Sequence, residues 1–181
     1  MKVFLNPGHA PNGEPDPGAC NYDLDLRECD IAKDIADLVE SYLTTAGVEV
    51  VGNVQSDSLS GVTSTANASG ADLFISIHCN SFNSSASGTE VCVYPGSSVG
   101  HKLGSCIQRQ IVDSLRTVDR GLKERVPGKN GLYVLSNTDM PAVLVETAFI
   151  DSYQDATKLR DRTDDFARAI ARGVTDYMNM I

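Results

Sequence analysis

The chain has 181 residues, of which 41% are hydrophobic, and this is enough for one domain with a substantial core. Its formal net charge of −9 argues against a nucleic-acid partner, because duplex binding depends on basic side chains that neutralise phosphates. The N-terminus lacks the apolar core of a signal peptide, and no apolar run approaches the length of a membrane span. We therefore expect one soluble domain, residues 1–181, without an export signal of its own.

The N-terminal half predicts three strands and one long helix. Short apolar runs predict strands over residues 2–6, 48–51 and 71–80. Residues 7–21 are rich in Gly, Pro, Asn and Asp and predict an irregular loop. The helix is expected to open with a capping box, in which Asp25 is the N-cap and Glu28 lies three residues on, and to end before Gly47. A weaker helical signal covers residues 62–69.

The C-terminal half predicts three more strands and two more helices. The strands are expected over residues 90–94, 132–135 and 142–145. Polarity alternates along 90–94, which indicates a less buried strand, whereas the charged segment 119–131 predicts an exposed loop. Apolar residues four apart from Leu103 to Leu115, and at helical spacing from Phe166 to Tyr177, predict the helices. Alternating strands and helices indicate an α/β domain with a twisted, mostly parallel or mixed sheet flanked by helices.

Three predicted strands end in an ionisable side chain. His9 follows the first strand, His78 lies near the end of the central strand, and Glu146 follows the last one directly. Ligands of open α/β sheets bind outside the carboxyl ends of the strands, so these residues predict a functional cleft. For His78 taken alone, a packing role in which the ring bonds a backbone carbonyl is an alternative. The polar loops expected to frame the cleft are 11–21, 80–88 and 119–131.

The residue types at this cleft suit metal-dependent hydrolysis. His9, Glu28 and His78 are of the ligand types found in catalytic zinc sites, which keep one further position open. Glu28 has a competing interpretation as the glutamate of the helix capping box. Glu146 follows the apolar run Ala-Val-Leu-Val, where burial raises the pKa of a carboxyl group and suits a general base. The alternative for Glu146 is a structural glutamate paired with an arginine.

Six motifs, in order over nearly the whole chain, extend this pattern. They are Asn6-Pro7-Gly8-His9, Glu28 at the start of the first helix, residues 71–80, Gly88-Thr89-Glu90-Val91, residues 131–135 and residues 141–150. Together they resemble the zinc-dependent N-acetylmuramoyl-L-alanine amidases that cut peptidoglycan. The resemblance covers every metal and catalytic position expected of that family.

The resemblance implies hydrolysis of the amide bond between N-acetylmuramic acid and L-alanine. His9, Glu28 and His78 would hold the zinc ion (Zn²⁺), Glu146 would be the catalytic carboxylate, and peptidoglycan would be the partner. It leaves the substrate-binding residues unidentified. Action on the cell wall is expected, either as a phage-type lysin or as the catalytic domain of a longer exported protein. We expect a monomer, the default for a hydrolase of a polymer.

Three other interpretations of the sequence are alternatives to this one. Residues 96–100 match the Gly-x-Ser-x-Gly pattern of serine hydrolases, with Ser98 as nucleophile, but the only later histidine is His101, three residues away. A nucleophilic Cys79 is disfavoured because neighbouring strand residues such as His78 and Cys79 point to opposite faces. The five cysteines also lack the pairing of a disulfide framework or thiolate zinc finger. The remaining alternative is a non-catalytic wall-binding module of the same fold.

Overall fold

A six-stranded sheet runs through the computed structural model, which describes residues 1–180. The strands are β1 (Lys2–Pro7), β2 (Cys20–Asn21), β3 (Leu26–Arg27), β4 (Glu49–Asn53), β5 (Leu73–Asn80), β6 (Thr89–Val93), β7 (Asp119–Glu124) and β8 (Ala142–Phe149). The helices are α1 (Glu28–Thr45), α2 (Leu59–Ala68), α3 (Ser98–Leu115), α4 (Tyr133–Asn137), α5 (Tyr153–Asp161) and α6 (Thr163–Met178). The sheet order is β4-β1-β5-β8-β6-β7, while β2 and β3 form a separate ribbon.

The directions of the strands bring polar residues from both halves of the chain to one edge of the sheet. Strands β4, β1, β5 and β8 are parallel, whereas β6 is antiparallel to β8 and β7 is parallel to β6. The carboxyl ends of β1, β5 and β8 therefore meet the amino ends of β6 and β7. His78 lies opposite Glu146, and Glu146 lies opposite Glu90. The predicted mixed α/β sheet flanked by helices is confirmed.

The two faces of the sheet are covered unequally. The larger hydrophobic cluster includes Ile75 of the sheet and Phe166 of α6, and helices α1, α3 and α6 contribute to it. The smaller cluster joins Phe4 and Phe74, whose ring centroids are 5.8 Å apart, to residues of α2 and α4. Side chains alternate between the faces, so His78, four residues after Phe74, lies on the thinly covered side. The cleft is consequently on that side.

Two predicted elements in the C-terminal half were wrong. Residues 119–124 of the expected loop form the edge strand β7, whose charged sequence fits a strand with one exposed edge. Residues 132–135 are not a strand, because Tyr133–Asn137 forms helix α4 and directs Val134 and Leu135 into the smaller cluster. A short apolar run does not distinguish a buried strand from one turn of helix.

The capping box predicted for the first helix was also wrong. Helix α1 begins at Glu28 itself, and the N-cap position is held by Arg27, which makes no side-chain cap hydrogen bond. The end of the helix was predicted correctly, since Gly47 follows with the positive φ of 82° that glycine tolerates best. Strand β6 is buried along its whole length, against expectation, because it lies between β8 and β7.

Within residues 1–180, none of these helices has the length and apolar content needed to cross a bilayer.

Candidate active site

The carboxylate of Glu28 is the centre of the polar group at the sheet edge. Its Oε1 atom lies 2.9 Å from His9 Nε2 and 2.9 Å from His78 Nδ1. The backbone N–H of Cys79 also donates to Oε1 at 3.0 Å, and that of Ala19 donates to Oε2 at 2.9 Å. Backbone groups from a loop and a strand therefore fix the orientation of this carboxylate. This accounts for the missing capping box, because Glu28 faces the cleft and not its own helix.

Two glycines allow the three side chains to approach one another. A Cβ atom on Gly8 would lie 2.3 Å from the His78 ring, and one on Gly18 would lie 2.6 Å from the His9 ring and 2.7 Å from Glu28 Oε2. All three distances are shorter than those of real Cβ contacts, so a larger residue at either position would displace these side chains. His9 itself has a φ of 67°, an uncommon conformation for a residue with a side chain. The local backbone is thus shaped around the histidines.

Asp16 supports His9 from the side away from Glu28 and was not predicted individually from the sequence. Its Oδ2 atom lies 2.8 Å from His9 Nδ1, and its Oδ1 atom accepts the Gly18 N–H at 2.9 Å. The hydrogen bond with His9 lowers the pKa of the Asp16 carboxyl group. The sequence signal was weak, since Asp16 is one of several polar residues in a Gly/Pro-rich loop.

The protonation states of His9, Glu28 and Asp16 depend on one another. Burial lowers the pKa of His9, but attraction to Glu28 and then to Asp16 outweighs this effect and raises the pKa to about 9. Burial likewise opposes ionisation of Glu28, yet the hydrogen bonds with His78 and His9 hold its pKa well below the usual range. Glu28 is therefore an ionised carboxylate between two histidines.

This group has the composition and spacing that a metal ion requires. His9, Glu28 and His78 each offer one ligand atom, and the three atoms lie within 4.8 Å of one another. Two imidazoles and one carboxylate suit zinc, and three protein ligands are typical of catalytic sites that keep a further position open. The orienting partner on His9 Nδ1, Asp16, is also a common feature of histidine ligands.

Glu146 lies beside the three-residue group and has few polar partners. It is the neighbour of His78 across β5 and β8, and its buried Oε2 atom has no hydrogen-bond partner within residues 1–180. Burial and the negative charges of Glu28 and Glu90 raise the pKa of Glu146 to about 7. The interaction with His78 acts in the opposite direction but is outweighed. No arginine within the described residues forms an ion pair with Glu146, and Arg125 pairs with Glu90 instead. The structure gives no support to the structural-pair alternative.

A cavity of about 280 Å³ opens next to the two histidines. Its apolar walls come from Leu59 at the start of α2, from residues 132–134 at the start of α4, and from Leu144 of β8. Of the three loops predicted to frame the cleft, only 11–21 reaches this cavity, through Asp16. The walls therefore come mainly from the helices that cover the thin face of the sheet.

Neither alternative nucleophile, Ser98 or Cys79, lies in a catalytic arrangement. Ser98 begins α3 beyond the carboxyl end of β6, at the opposite edge of the sheet from Glu28. His101 Nε2 lies 3.0 Å from Glu124 Oε1, and no side-chain hydrogen bond within residues 1–180 joins Ser98 to a histidine. Cys79 is buried in the larger cluster, where burial raises the pKa of its thiol well above the usual value. A protonated, buried thiol is not a nucleophile.

Comparison with known proteins shows the family of the chain. A sequence model of a family described as N-acetylmuramoyl-L-alanine amidase matches residues 3–176. The sporulation-specific N-acetylmuramoyl-L-alanine amidase of Bacillus subtilis is 36% identical over 96% of this chain and 65% of its own length. The amidase LytC of the same organism is 35% identical over 97% of this chain and 35% of its own length. The chain thus spans about two thirds or less of the length of these two relatives.

The fold agrees with that of solved amidases. The crystal structure of the N-acetylmuramoyl-L-alanine amidase from Clostridium difficile 630 superposes with a TM-score of 0.87 at 29% identity. The match covers 98% of this chain and 96% of that one, so it extends over the sheet and its flanking helices. The family match and the common fold together show that the chain belongs to the N-acetylmuramoyl-L-alanine amidase family, whose members are hydrolases of carbon–nitrogen bonds.

Proposed function

We propose that this domain hydrolyses the amide bond between N-acetylmuramic acid and L-alanine in peptidoglycan, with zinc held by His9, Glu28 and His78. The observation that carries the proposal is the position of Glu146. A half-buried carboxyl group with a raised pKa lies directly beside one histidine of a group that could hold a metal. A metal group and an adjacent base are the two parts that metal-assisted amide hydrolysis requires.

The protein groups prepare the site for zinc before it binds. When bound, zinc supplies a Lewis acid that polarises the scissile carbonyl and lowers the pKa of water. His9 Nδ1–H donates to Asp16, so once the Nε2 proton shared with Glu28 is lost, His9 would offer its Nε2 lone pair to the ion. Because the pKa of His9 is about 9 without metal, binding at neutral pH must release a proton. We expect zinc affinity to rise with pH for this reason.

Glu146 is the proton carrier in the proposed reaction. A carboxyl group with a pKa of about 7 is partly ionised at neutral pH, so it can accept a proton from the attacking water. The same group can then donate that proton to the nitrogen of L-alanine as the amide bond breaks. Its Oε2 atom has no protein partner within residues 1–180 that would compete for the proton.

The proposed place of action is the cell wall, where peptidoglycan lies. Both a phage-type lysin and the catalytic part of a longer exported protein would encounter the substrate there. We propose that the domain acts on the polymer as a monomer, the default for a hydrolase of a polymer.

The test combines metal content with product chemistry. Purified protein should contain about one zinc per chain, as three-ligand catalytic sites do, and should release new L-alanine amino termini from purified cell walls. New reducing sugar ends should not appear, because the glycan strand is not cut. Binding to cell walls with stoichiometric zinc but without new amino termini would contradict the proposal and favour the non-catalytic wall-binding module.

A further inference from the structure

A row of charged residues continues from the candidate active site across the strands toward β7, the outermost strand on that side of the sheet. Glu90 lies directly opposite Glu146 across β6 and β8, so the two side chains are on the same face. Glu90 is buried, with 5% exposure, and is not part of the proposed reaction. It accepts hydrogen bonds from Arg120 Nε at 2.8 Å and from Arg125 Nη2 at 3.3 Å. The row His78, Glu146, Glu90, Arg120 thus crosses strands β5, β8, β6 and β7.

Arg120 is held in one place by three different contacts. Its guanidinium carbon lies 4.9 Å above the centre of the Phe149 ring, a favourable cation–π position. Its stem passes close to Gly88, where a Cβ atom would lie 3.1 Å from Arg120 Cγ. The ion pair with Glu90 provides the third contact. An arginine fixed in this way loses little side-chain entropy when it binds a ligand.

The Nη groups of Arg120 are available for a ligand. Within residues 1–180 only its Nε atom donates to a protein acceptor, and the side chain is 35% exposed. Two Nη nitrogens side by side can bind both oxygens of a carboxylate. With two arginines around one glutamate, the cluster of Glu90, Arg120 and Arg125 carries a net positive charge in a chain whose overall charge is −9.

We propose that Arg120 binds a carboxylate of the peptidoglycan stem peptide, namely the free carboxylate on the residue that follows L-alanine. This assignment rests on the proposed function and names the part of the substrate that this side of the cleft would bind. Strands are about 4.8 Å apart, so a group anchored on Glu90 is about 5–10 Å from Glu146. Two extended residues span about 7 Å, which matches the separation between the amide that is cut and that carboxylate. Glu90 and Phe149 act as positioning residues for the guanidinium.

The test compares two substrates that differ only in this carboxylate. One muropeptide carries the free carboxylate on its second residue, and the other carries the neutral amide in its place. The wild-type protein should have a kcat/KM about tenfold higher for the carboxylate form, the low end for a hydrogen bond to a charged group. Arg120→Gln should lose this preference, so that its kcat/KM values for the two muropeptides become similar, mainly through a higher KM for the carboxylate substrate.

Matched controls separate binding from folding. Arg109→Gln removes an arginine that also pairs with a carboxylate, Asp176 at 3.2 Å, but on helices α3 and α6, and it should keep the wild-type preference. Arg120→Lys retains the positive charge without the paired Nη groups and should show an intermediate preference. If Arg120→Gln does not fold, the reduced preference of Arg120→Lys is the deciding measurement.

The outcomes distinguish this inference from the proposed function. An active protein whose preference is the same in wild type, Arg120→Gln and Arg120→Lys would overturn the inference alone. Equal loss of activity on both muropeptides would also overturn it, because that result indicates a purely structural ion pair. A wild-type protein that cleaves neither muropeptide would overturn the proposed function and the inference together.

Discussion

Two glutamates in the same cleft, Glu28 and Glu146, have pKa values shifted in opposite directions. Both carboxyl groups are shielded from solvent, which by itself disfavours the ionised form of each. Glu28 nevertheless has a pKa well below the usual range, because hydrogen bonds with His78 and His9 outweigh burial. Glu146 has a buried oxygen without a partner within residues 1–180, and its pKa is about 7. The number of partners, rather than the degree of burial, decides which of the two is an acid group at neutral pH.

This difference assigns different chemistry to each carboxylate. A permanently ionised glutamate between two histidines suits a metal ligand, whereas a glutamate that gains and loses a proton near pH 7 suits a general base. The partners of Glu28 come from the segment between β1 and β2 and from β5, so two distant parts of the chain converge on the start of α1. Glu146 projects from β8 between His78 and Glu90.

The largest expected effect comes from removing a metal ligand. His78→Ala should lose both zinc and measurable turnover, since two protein ligands do not hold a catalytic zinc site together. Metal analysis after dialysis, alongside wall hydrolysis, measures this. His101→Ala is the matched control, because His101 pairs with Glu124 at the opposite edge of the sheet and should leave zinc unchanged. Stoichiometric zinc in His78→Ala would remove His78 from the ligand set.

The same substitution at the two glutamates should separate chemistry from metal binding. Glu146→Gln should keep zinc but lower kcat by about 10²–10⁴-fold with little change in KM, because only proton transfer is lost. Glu28→Gln should instead weaken zinc binding, since a neutral amide is a poor ligand for this ion. Zinc content and steady-state kinetics of the two variants provide the comparison. Loss of zinc from Glu146→Gln, or its wild-type turnover, would contradict the separation of roles.

A smaller effect is expected from the residue that orients His9. Asp16→Asn keeps the size of the side chain but removes its charge, and substitutions of such partners typically weaken metal binding by about 10–100-fold. The dissociation constant for zinc, measured by competition with a chelator, tests this without reference to activity. Asp151→Asn is a suitable control, because Asp151 also accepts backbone hydrogen bonds in a loop but does not contact the histidines. An unchanged affinity in Asp16→Asn would mean that Glu28 alone orients His9.

The sequence was most informative where strands end. An apolar strand followed by a polar residue identifies both a buried strand and the rim of a cleft, so His78 and Glu146 could be recognised from position alone. Glu28 was selected by residue type and resemblance, but the capping box predicted for it was wrong. The capping pattern describes hydrogen bonds within the first turn of the helix. Here the backbone N–H groups of Cys79 and Ala19, outside that turn, donate to the Glu28 carboxylate instead.

Residues whose role depends on strand pairing could not be recognised in this way. Glu90 and Arg120 became neighbours of Glu146 only because β6 is antiparallel to β8 and β7 lies beside β6. The pattern of residues 119–124 has no apolar run and looks like a loop, so the edge strand that carries Arg120 was missed. Pairing order and direction are long-range properties, and local periodicity does not contain them.

The smallest expected effect concerns stability and has opposite signs for the two glutamates in the metal-free protein. The folded-state pKa of Glu146, about 7, lies above its ordinary value of 4.5, so ionisation of this group lowers stability as the pH rises through that interval. Above pH 7, Glu146→Gln should therefore raise the free energy of unfolding, by about 1–2 kcal/mol after allowance for its partial exposure. Below pH 4.5, where the carboxyl group is protonated in both states, the difference should vanish.

Glu28 should show the reverse behaviour under the same conditions. Its folded-state pKa is depressed below 4.5, so its ionised form contributes stability above that pH and the contribution is lost as the pH falls further. Glu28→Gln should consequently lower the free energy of unfolding near neutral pH. Urea denaturation of both variants and the wild type, in the presence of a chelator and across this pH range, measures both signs. Destabilisation by both substitutions at every pH would show that Glu146 has a stabilising partner in the folded protein, and its role as an unpaired base would then be wrong.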